Sequence, residues 1–348
     1  MEYSRIRLPQ KNVTINTEED FLTCCDCVDD CQNRDKCACW QLTIQSTAAT
    51  PEGEVNPNVG YVYRRLTEPV STGIFECNSK CKCKQTCLNR VAQQPLRCKL
   101  QVFKTPKRGW GIRTLADIPA GGFICIYVGN LYTNEEANTQ GQNFGDEYFA
   151  ELDLIESVEK YKEGYESDFD EEECEMLSNY EGSESGNSTE DEDLVGAIHS
   201  KDDLGDFKAK VKPTGDTERK TRGTRREASG GLGASAGAGD GPGPESKKPK
   251  HKSTRLYFGE EEDVYIMDAK SIGNIGRYLN HSCNPNVFVQ NAFVDTHDLR
   301  FPWVAFFSMN YIRAGEELCW DYCYIVDQVK GKEIHCECGA DNCRGRLL

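Results

Sequence analysis

Short apolar runs separated by turn residues dominate two stretches of the chain. The first stretch contains LQVF (100–103), GIRTL (111–115) and FICIYVG (123–129), and the second contains DVYIMD (263–268), VFVQNAFV (287–294) and WVAFFSM (303–309). Runs of this length that are rich in β-branched and aromatic residues are typical of strands. Pro119-Ala-Gly-Gly and Arg313-Ala-Gly-Glu indicate turns between them. The pattern predicts a mostly β domain of small curved sheets with short helices.

A long polar stretch separates the two sets of strands. Residues 151–200 contain 18 Asp and Glu against 2 Lys, which accounts for the whole net charge of −16. The stretch then becomes basic at ERKTRGTRR (218–226), glycine-rich at 230–244 and basic again at KKPKHK (247–252). Because such a segment buries too little apolar surface to offset its ordering entropy, we predict a disordered insertion over 160–253 that splits the β domain. KKPKHK is equally typical of a nuclear import signal and of a solvated charge run.

Cysteine spacing near the N-terminus indicates metal binding. Nine of the 19 cysteines form two clusters: Cys25, Cys27, Cys31, Cys37 and Cys39, then Cys77, Cys81, Cys83 and Cys87. Cysteines two residues apart are poorly placed to form disulfides with each other. Nine thiolates complete three tetrahedral zinc sites if three of them bridge two ions each. The alternative, a disulfide-rich secreted module, fits poorly with an odd number of cysteines and with a start that has no apolar signal core. No apolar run reaches 18 residues, so no membrane span is predicted.

Three further motifs carry candidate chemistry. Gly109-Trp110-Gly111 allows close backbone approach beside an aromatic face, although a simple hairpin turn would explain it as well. Residues 277–286, RYLNHSCNPN, bring Asn280 and His281 together, either for function or as a hydrogen-bonded structural corner. Cys336, Cys338 and Cys343 leave a zinc tetrahedron one ligand short, and Cys283 is the candidate fourth ligand. We expect the remaining cysteines to be small buried residues: Cys24, Cys98, Cys125, Cys174, Cys319 and Cys323.

The order of these motifs resembles a known family. A nine-cysteine module, then GWG, RYLNHSC with NPN, ELCWDY and C-x-C-x4-C resembles the pre-SET, SET and post-SET arrangement of histone H3 lysine-9 methyltransferases. GDEYFAELDLIESVEKYKEGYESD ahead of the insertion resembles the bifurcated-SET branch. The resemblance implies a SET fold divided as follows: lead-in 1–23, pre-SET 24–95, SET 98–159, insertion 160–253, SET 254–326 and post-SET 332–348. From the cysteine spacing itself, we expect the middle of the cysteine module (41–76) to loop out between its two zinc-holding ends.

The same resemblance implies residue roles. It places S-adenosyl-L-methionine against Gly109, Trp110, Gly111, Asp146, Tyr148, Arg277, Asn280 and His281. Tyr322 matches the catalytic tyrosine, and Tyr148 lies where the cofactor and the lysine channel meet. Trp320 stands where relatives have Phe or Tyr, the position linked to methylation number. Because Trp lacks a phenolic hydroxyl, we predict di- or trimethylation. Ser271-Ile272 also departs from relatives, which have aromatic residues there.

The resulting prediction is a nuclear, chromosome-associated enzyme that methylates lysine 9 of histone H3 and so contributes to heterochromatin formation and gene silencing. Expected cofactors are S-adenosyl-L-methionine and four zinc ions, three in the pre-SET module and one shared by SET and post-SET. Expected partners are the histone H3 tail and chromatin-associated repressor proteins, with no sequence-specific DNA binding and no membrane. The alternatives are a catalytically silent zinc scaffold and a methyltransferase for a non-histone lysine.

Overall fold

The computed structural model describes residues 2–18, 22–49, 55–152, 154, 264–326 and 333–348. The predicted insertion (160–253), with its acidic run and candidate import signal, lies outside the described residues. Cys174 also falls there. Within the described ranges, neither α-helix has the length and apolar character needed to cross a bilayer.

The described residues form short strands and two α-helices, as the sequence predicts. The strands are β1 (Glu2–Tyr3), β2 (Leu8–Pro9), β3 (Ile74–Phe75), β4 (Leu100–Lys104), β5 (Trp110–Thr114), β6 (Phe123–Tyr127), β7 (Asn130–Thr133), β8 (Phe149–Leu152), β9 (Tyr265–Asp268), β10 (Ile272–Gly273), β11 (Asn280–His281), β12 (Val287–Phe293), β13 (Trp303–Ser308) and β14 (Cys319–Trp320). The helices are α1 (Ala38–Ser46) and α2 (Asn134–Phe144). A short 3-10 helix, Ile275–Tyr278, precedes β11.

Several small sheets combine strands from before and after the insertion. One four-stranded sheet has the order β3-β12-β13-β6, and another has the order β2-β7-β9-β8. Three two-stranded sheets complete the set: β4-β5, β1-β10 and β11-β14. Since β6, β7 and β8 pair with β13 and β9, the two halves of the split domain fold as one unit. The mostly β fold of small sheets is confirmed.

Aromatic side chains fill the core between these sheets. Phe301 and Phe306 are fully buried in one cluster, and Phe307 is fully buried beside the cysteine module. The strand β13 therefore supplies consecutive residues to two cores, because alternate side chains of a strand point to opposite faces. This double burial explains why WVAFFS contains almost no polar residue.

The six strands and both turns expected from the apolar runs are confirmed, with bounds shifted by no more than two residues. The short N-terminal strands and α2 were not predicted. Thr133 caps α2 by accepting a hydrogen bond from the Glu136 backbone nitrogen, so Thr133-x-x-Glu136 is the sequence signal for this helix.

The described parts of the middle of the cysteine module, 41–49 and 55–76, pack closely instead of looping out, so that expectation was wrong. Tyr61, Leu66 and Ile74 are buried in the same cluster as the nine cysteines. The buried carboxylate of Glu76 accepts hydrogen bonds from the Tyr61 hydroxyl (2.7 Å) and from the Val91 backbone nitrogen (2.9 Å). These apolar residues are spread along the sequence, so no periodic pattern reveals their burial.

Candidate active site and metal clusters

The parallel strands β11 and β14 bring two distant motifs side by side. Asn280 lies opposite Cys319, and His281 lies opposite Trp320. The NPN segment also holds Cys319, whose backbone nitrogen donates to the Asn286 side-chain oxygen at 2.9 Å. The pairing places NHSC and the WDY segment in one site, although they are nearly forty residues apart in the chain.

His281 fixes the backbone of Tyr322. The Tyr322 backbone nitrogen donates to His281 Nδ1 at 3.2 Å, and the two rings lie 5.4 Å apart edge to face. Burial lowers the pKa of His281, which favours the neutral imidazole needed to accept this hydrogen bond. Because Nδ1 accepts, Nε2 carries the proton and faces Cys283 Sγ at 3.3 Å.

The Tyr322 hydroxyl is held inside a ring of aromatic side chains. The hydroxyl donates to the Leu279 backbone oxygen at 3.0 Å. The ring centroids of Trp320 and Tyr324 lie 5.0 and 5.8 Å from the ring centroid of Tyr322. Burial raises the pKa of Tyr322 well above its usual value, so the phenol stays protonated at neutral pH. Trp320 packs edge to face on Phe306 at 5.3 Å. Tyr322 is thus held as a fixed neutral hydroxyl.

Tyr148 and Arg277 form a second part of the site. The Arg277 guanidinium lies 3.9 Å from the centre of the Tyr148 ring. The Tyr127 hydroxyl donates to the Tyr148 backbone oxygen at 2.7 Å, which holds the backbone at Tyr148 in place. Asp146, two residues earlier, is exposed at the end of α2. Its contact with a cofactor stays a prediction.

A cleft of about 200 Å³ lies between Lys107 and Arg108, which directly precede the GWG turn, and the C-terminal tail. Asn280, His281 and Tyr322 line one side of it, and Cys336, Glu337, Cys338 and Leu347 line the other. Lys107 Nζ bridges the two sides through Glu337 Oε2 at 2.9 Å. Gly109 has φ of +69°, the left-handed conformation that glycine adopts readily, and Trp110 is 56% exposed. The cleft is therefore large enough for a small ligand and closed on one side by the tail.

The nine N-terminal cysteines are packed as a zinc–thiolate cluster requires. A tetrahedral zinc ion with Zn–S bonds of about 2.3 Å separates neighbouring sulfurs by about 3.8 Å. The Sγ atoms of Cys25, Cys31 and Cys77 lie 3.6–3.7 Å from one another. Three groups of four satisfy the distance requirement for a metal site: Cys25, Cys27, Cys31 and Cys37; Cys25, Cys39, Cys77 and Cys81; and Cys25, Cys31, Cys77 and Cys83. Cys87 Sγ adds a contact of 3.8 Å to Cys77 Sγ.

A buried arginine supplies positive charge next to this cluster. Arg90 is only 2% exposed, and its Nη2 donates to the backbone oxygen of Asn78 at 2.6 Å and lies 3.5 Å from Cys83 Sγ. Burying a guanidinium is costly unless an anion compensates it. Three divalent zinc ions do not neutralise nine thiolates, so a metal-loaded cluster provides that anion. The residues present therefore fit the zinc ions.

The C-terminal cysteines form a separate group with Cys283. The Sγ atoms of Cys283, Cys336, Cys338 and Cys343 all lie within 4.8 Å of one another, and all four residues are partly exposed. The Arg344 backbone nitrogen lies 3.4 Å from Cys283 Sγ, and Arg344 Nη2 forms an ion pair with Asp321 at 2.8 Å. This group joins the tail to the segment that carries His281 and Tyr322.

Two polar residues of the site were missed in the sequence, namely Arg108 and Glu317. They form an ion pair of 2.7 Å beside the cleft. The sequence signal was weak, because each lies in a run of like charges, Lys107-Arg108 and Glu316-Glu317.

The expected burial of the remaining cysteines is confirmed for Cys125 and Cys319 but wrong for Cys24 and Cys323, which are exposed. Cys98 is partly buried.

Comparison with known proteins identifies the class. The model of the SET domain family matches residues 109–323, more than half of the chain, and the model of the Pre-SET motif matches residues 1–90. The chain belongs to the SET-domain family.

Among curated relatives, the histone-lysine N-methyltransferase eggless of Drosophila melanogaster is 48% identical over 357 aligned residues. The alignment covers 99% of this chain and 27% of that relative, so the chain spans about a quarter of its length. Two solved structures have similar folds. KRYPTONITE, solved in complex with mCHH DNA, an H3(1-15) peptide and SAH, has a TM-score of 0.58 and 25% identity, covering 99% of this chain and 47% of that one. SUVH6 of Arabidopsis thaliana, solved with SAM, has a TM-score of 0.54 and 25% identity, covering 99% and 50%.

Proposed function

We propose that this chain is an S-adenosyl-L-methionine-dependent protein-lysine methyltransferase. The observation that carries the proposal is the Tyr322 hydroxyl, fixed and neutral beside the cleft. Family membership supports the assignment, as does the name of the Drosophila relative. SUVH6 was solved with SAM and KRYPTONITE with SAH, which supports the same cofactor here. The proposed cofactor contacts are Gly109, Trp110, Gly111, Asp146, Tyr148, Arg277, Asn280 and His281.

When bound, the cofactor supplies an electrophilic methyl group on a sulfonium. The residues of the chain hold the acceptor amine in line with it, since orientation is the main requirement of such a displacement. The Tyr322 hydroxyl already donates to Leu279, so its oxygen can accept a hydrogen bond from the substrate amine and direct the amine lone pair. The aromatic walls of Trp320 and Tyr324 exclude water and disfavour the charged ammonium.

The proposed substrate is lysine 9 of the histone H3 tail. KRYPTONITE was solved with an H3 peptide, and eggless is named a histone-lysine methyltransferase, which supports a histone substrate. Action in the nucleus, on chromosomes, with repressor proteins as partners and gene silencing as the outcome, follows from this proposal.

We expect di- or trimethylation as the product. The indole of Trp320 packs against Phe306 and Tyr322 and has no hydroxyl that could hold a water in the lysine channel. A site without that water has room for the methyl groups already on the nitrogen.

Zinc completes the structure without taking part in methyl transfer. In the pre-SET cluster, Cys25, Cys31 and Cys77 belong to more than one group of four, which favours them as the three bridging thiolates. A fourth ion on Cys283, Cys336, Cys338 and Cys343 would fix the tail that lines the cleft.

A Tyr322→Phe variant separates an enzyme from a catalytically silent zinc scaffold. With radiolabelled cofactor and a histone H3 peptide, we expect incorporation to fall at least about a hundredfold, because the amine loses its orienting group. Tyr63→Phe, at a tyrosine that is 87% exposed, is the matched control and should leave incorporation unchanged. Equal signals from Tyr322→Phe and the unaltered protein would favour the scaffold.

A further inference from the structure

A partly buried ion pair links the GWG turn to the strand pair that carries the site. Arg108 Nη2 and Glu317 Oε2 lie 2.7 Å apart, and the two side chains are only 21% and 20% exposed. Arg108 Nη1 also donates to the His281 backbone oxygen at 3.0 Å. An ion pair shielded from water in this way is stronger and more directional than an exposed one. It ties the loop before β5 to β11.

The same carboxylate holds the side-chain amide of Asn280. Asn280 Nδ2 donates to Glu317 Oε1 at 3.0 Å and to the Trp110 backbone oxygen at 3.3 Å. Both partners are acceptors, so they define which end of the carboxamide is the nitrogen. With both amide hydrogens used, Asn280 Oδ1 remains to accept a hydrogen bond from a donor in the cleft that Asn280 lines.

Position 111 requires glycine because of the side chains around it and not because of its backbone conformation. A Cβ at Gly111 would lie 2.7 Å from Glu317 Oε1 and 2.9 Å from Asn280 Nδ2, closer than real Cβ contacts allow. Gly109, in contrast, has open space around its Cβ position and a positive φ. Glycine is therefore needed at the two positions of the GWG turn for different reasons, and Gly111 makes room for the Glu317–Asn280 hydrogen bond.

We propose that Arg108 and Glu317 are positioning residues for the cofactor. They act through Asn280: Arg108 fixes the Glu317 carboxylate, and Glu317 fixes the carboxamide that faces the cofactor. This inference rests on the proposed function, because it assumes that the ligand of the cleft is the methyl donor. The positioning role requires both carboxylate oxygens of Glu317, because Oε2 contacts Arg108 and Oε1 accepts from Asn280.

Glu317→Gln tests the requirement for two acceptor oxygens. A glutamine offers one oxygen, and its NH₂ group would face a donor on either Arg108 or Asn280. We expect the dissociation constant of S-adenosyl-L-methionine, measured by isothermal titration calorimetry, to rise about tenfold, as for loss of a charge-assisted hydrogen bond. At saturating cofactor, kcat and the KM for the peptide should be nearly unchanged. Glu316→Gln, at the exposed neighbouring position, is the matched control and should bind normally.

Arg108→Met and the double variant test whether the residues act as a unit. Because the two side chains are in contact, the double variant should bind cofactor about as weakly as the worse single variant. Additive losses, or normal binding by Glu317→Gln, would overturn the inference while leaving the proposed function intact. If the unaltered protein binds no cofactor, both fail.

A crystal structure of cofactor-free Glu317→Gln gives a readout independent of binding. A carboxamide of Asn280 turned away from the Trp110 oxygen supports the positioning role, and an unchanged carboxamide contradicts it. Zinc content and thermal midpoint equal to those of the Glu316→Gln control show that the variant is folded.

Discussion

At the level of single residues, the site depends on a few side chains whose charge state is set by burial. The buried imidazole of His281 is neutral and orders the Tyr322 backbone, and the buried phenol of Tyr322 stays protonated. The order of the motifs pointed to both residues through its resemblance to the SET methyltransferases, in which NHSC and the DY pair belong to the site. The motifs could not reveal Arg108 or Glu317, whose significance depends on a contact across 209 positions of the chain.

Arg90 provides a residue-scale prediction about metal retention. Replacing the buried guanidinium by Met leaves the thiolate cluster without its neighbouring cation, so zinc should be lost to a competing chelator roughly tenfold faster. Arg90→Lys keeps the charge and should retain zinc better than Met. The measurement is the rate of zinc transfer to a chromogenic chelator.

Arg97→Met, at an exposed arginine seven positions along, is the control for this prediction. Equal release rates for Arg90→Met and Arg97→Met would show that Arg90 does not stabilise the cluster.

At the level of elements, pairing across the insertion determines the architecture. The apolar runs predicted the strands of both halves, because runs of four to eight residues bounded by turns are a local signal. They could not predict that β9 lies between β7 and β8, that β2 forms the edge of the same sheet, or that β1 pairs with β10. Those partners follow from long-range packing, and the two-residue strands have no periodicity to detect.

The C-terminal tail gives a prediction at this scale. Its three cysteines and their partner Cys283 are partly exposed, whereas the nine pre-SET cysteines are buried. A chelator should therefore remove the tail zinc first, and one wall of the cleft should be lost with it. We expect methylation to be abolished at a chelator concentration at which the circular dichroism of the strands is unchanged.

Zinc analysis during that titration identifies the ion that is lost. The Lys107–Glu337 and Arg344–Asp321 ion pairs do not hold the tail by themselves, because an exposed ion pair contributes only about 0–1 kcal/mol. Full activity in a metal-free sample would contradict the structural role of zinc.

At the level of the whole molecule, the zinc module and the split β domain have hydrophobic cores that meet at strand β13. Phe307 of β13 packs in the cluster that contains the nine cysteines, while its neighbour Phe306 packs beneath Trp320. The module thereby supports the sheet whose Phe306 packs against Trp320, one of the aromatic residues of the site. The sequence order of the motifs predicted this succession of modules, but the shared strand became visible only in the structure.

The most direct test of the central claim is mass spectrometry of a histone H3 tail peptide after incubation with this protein and S-adenosyl-L-methionine. We predict di- and trimethylated lysine 9, with at least about a hundredfold less product from the Tyr322→Phe variant. An unmodified peptide would contradict the proposed methyltransferase activity. Methylation confined to another lysine would contradict the proposed target, and monomethyl lysine 9 as the only product would contradict the role assigned to Trp320.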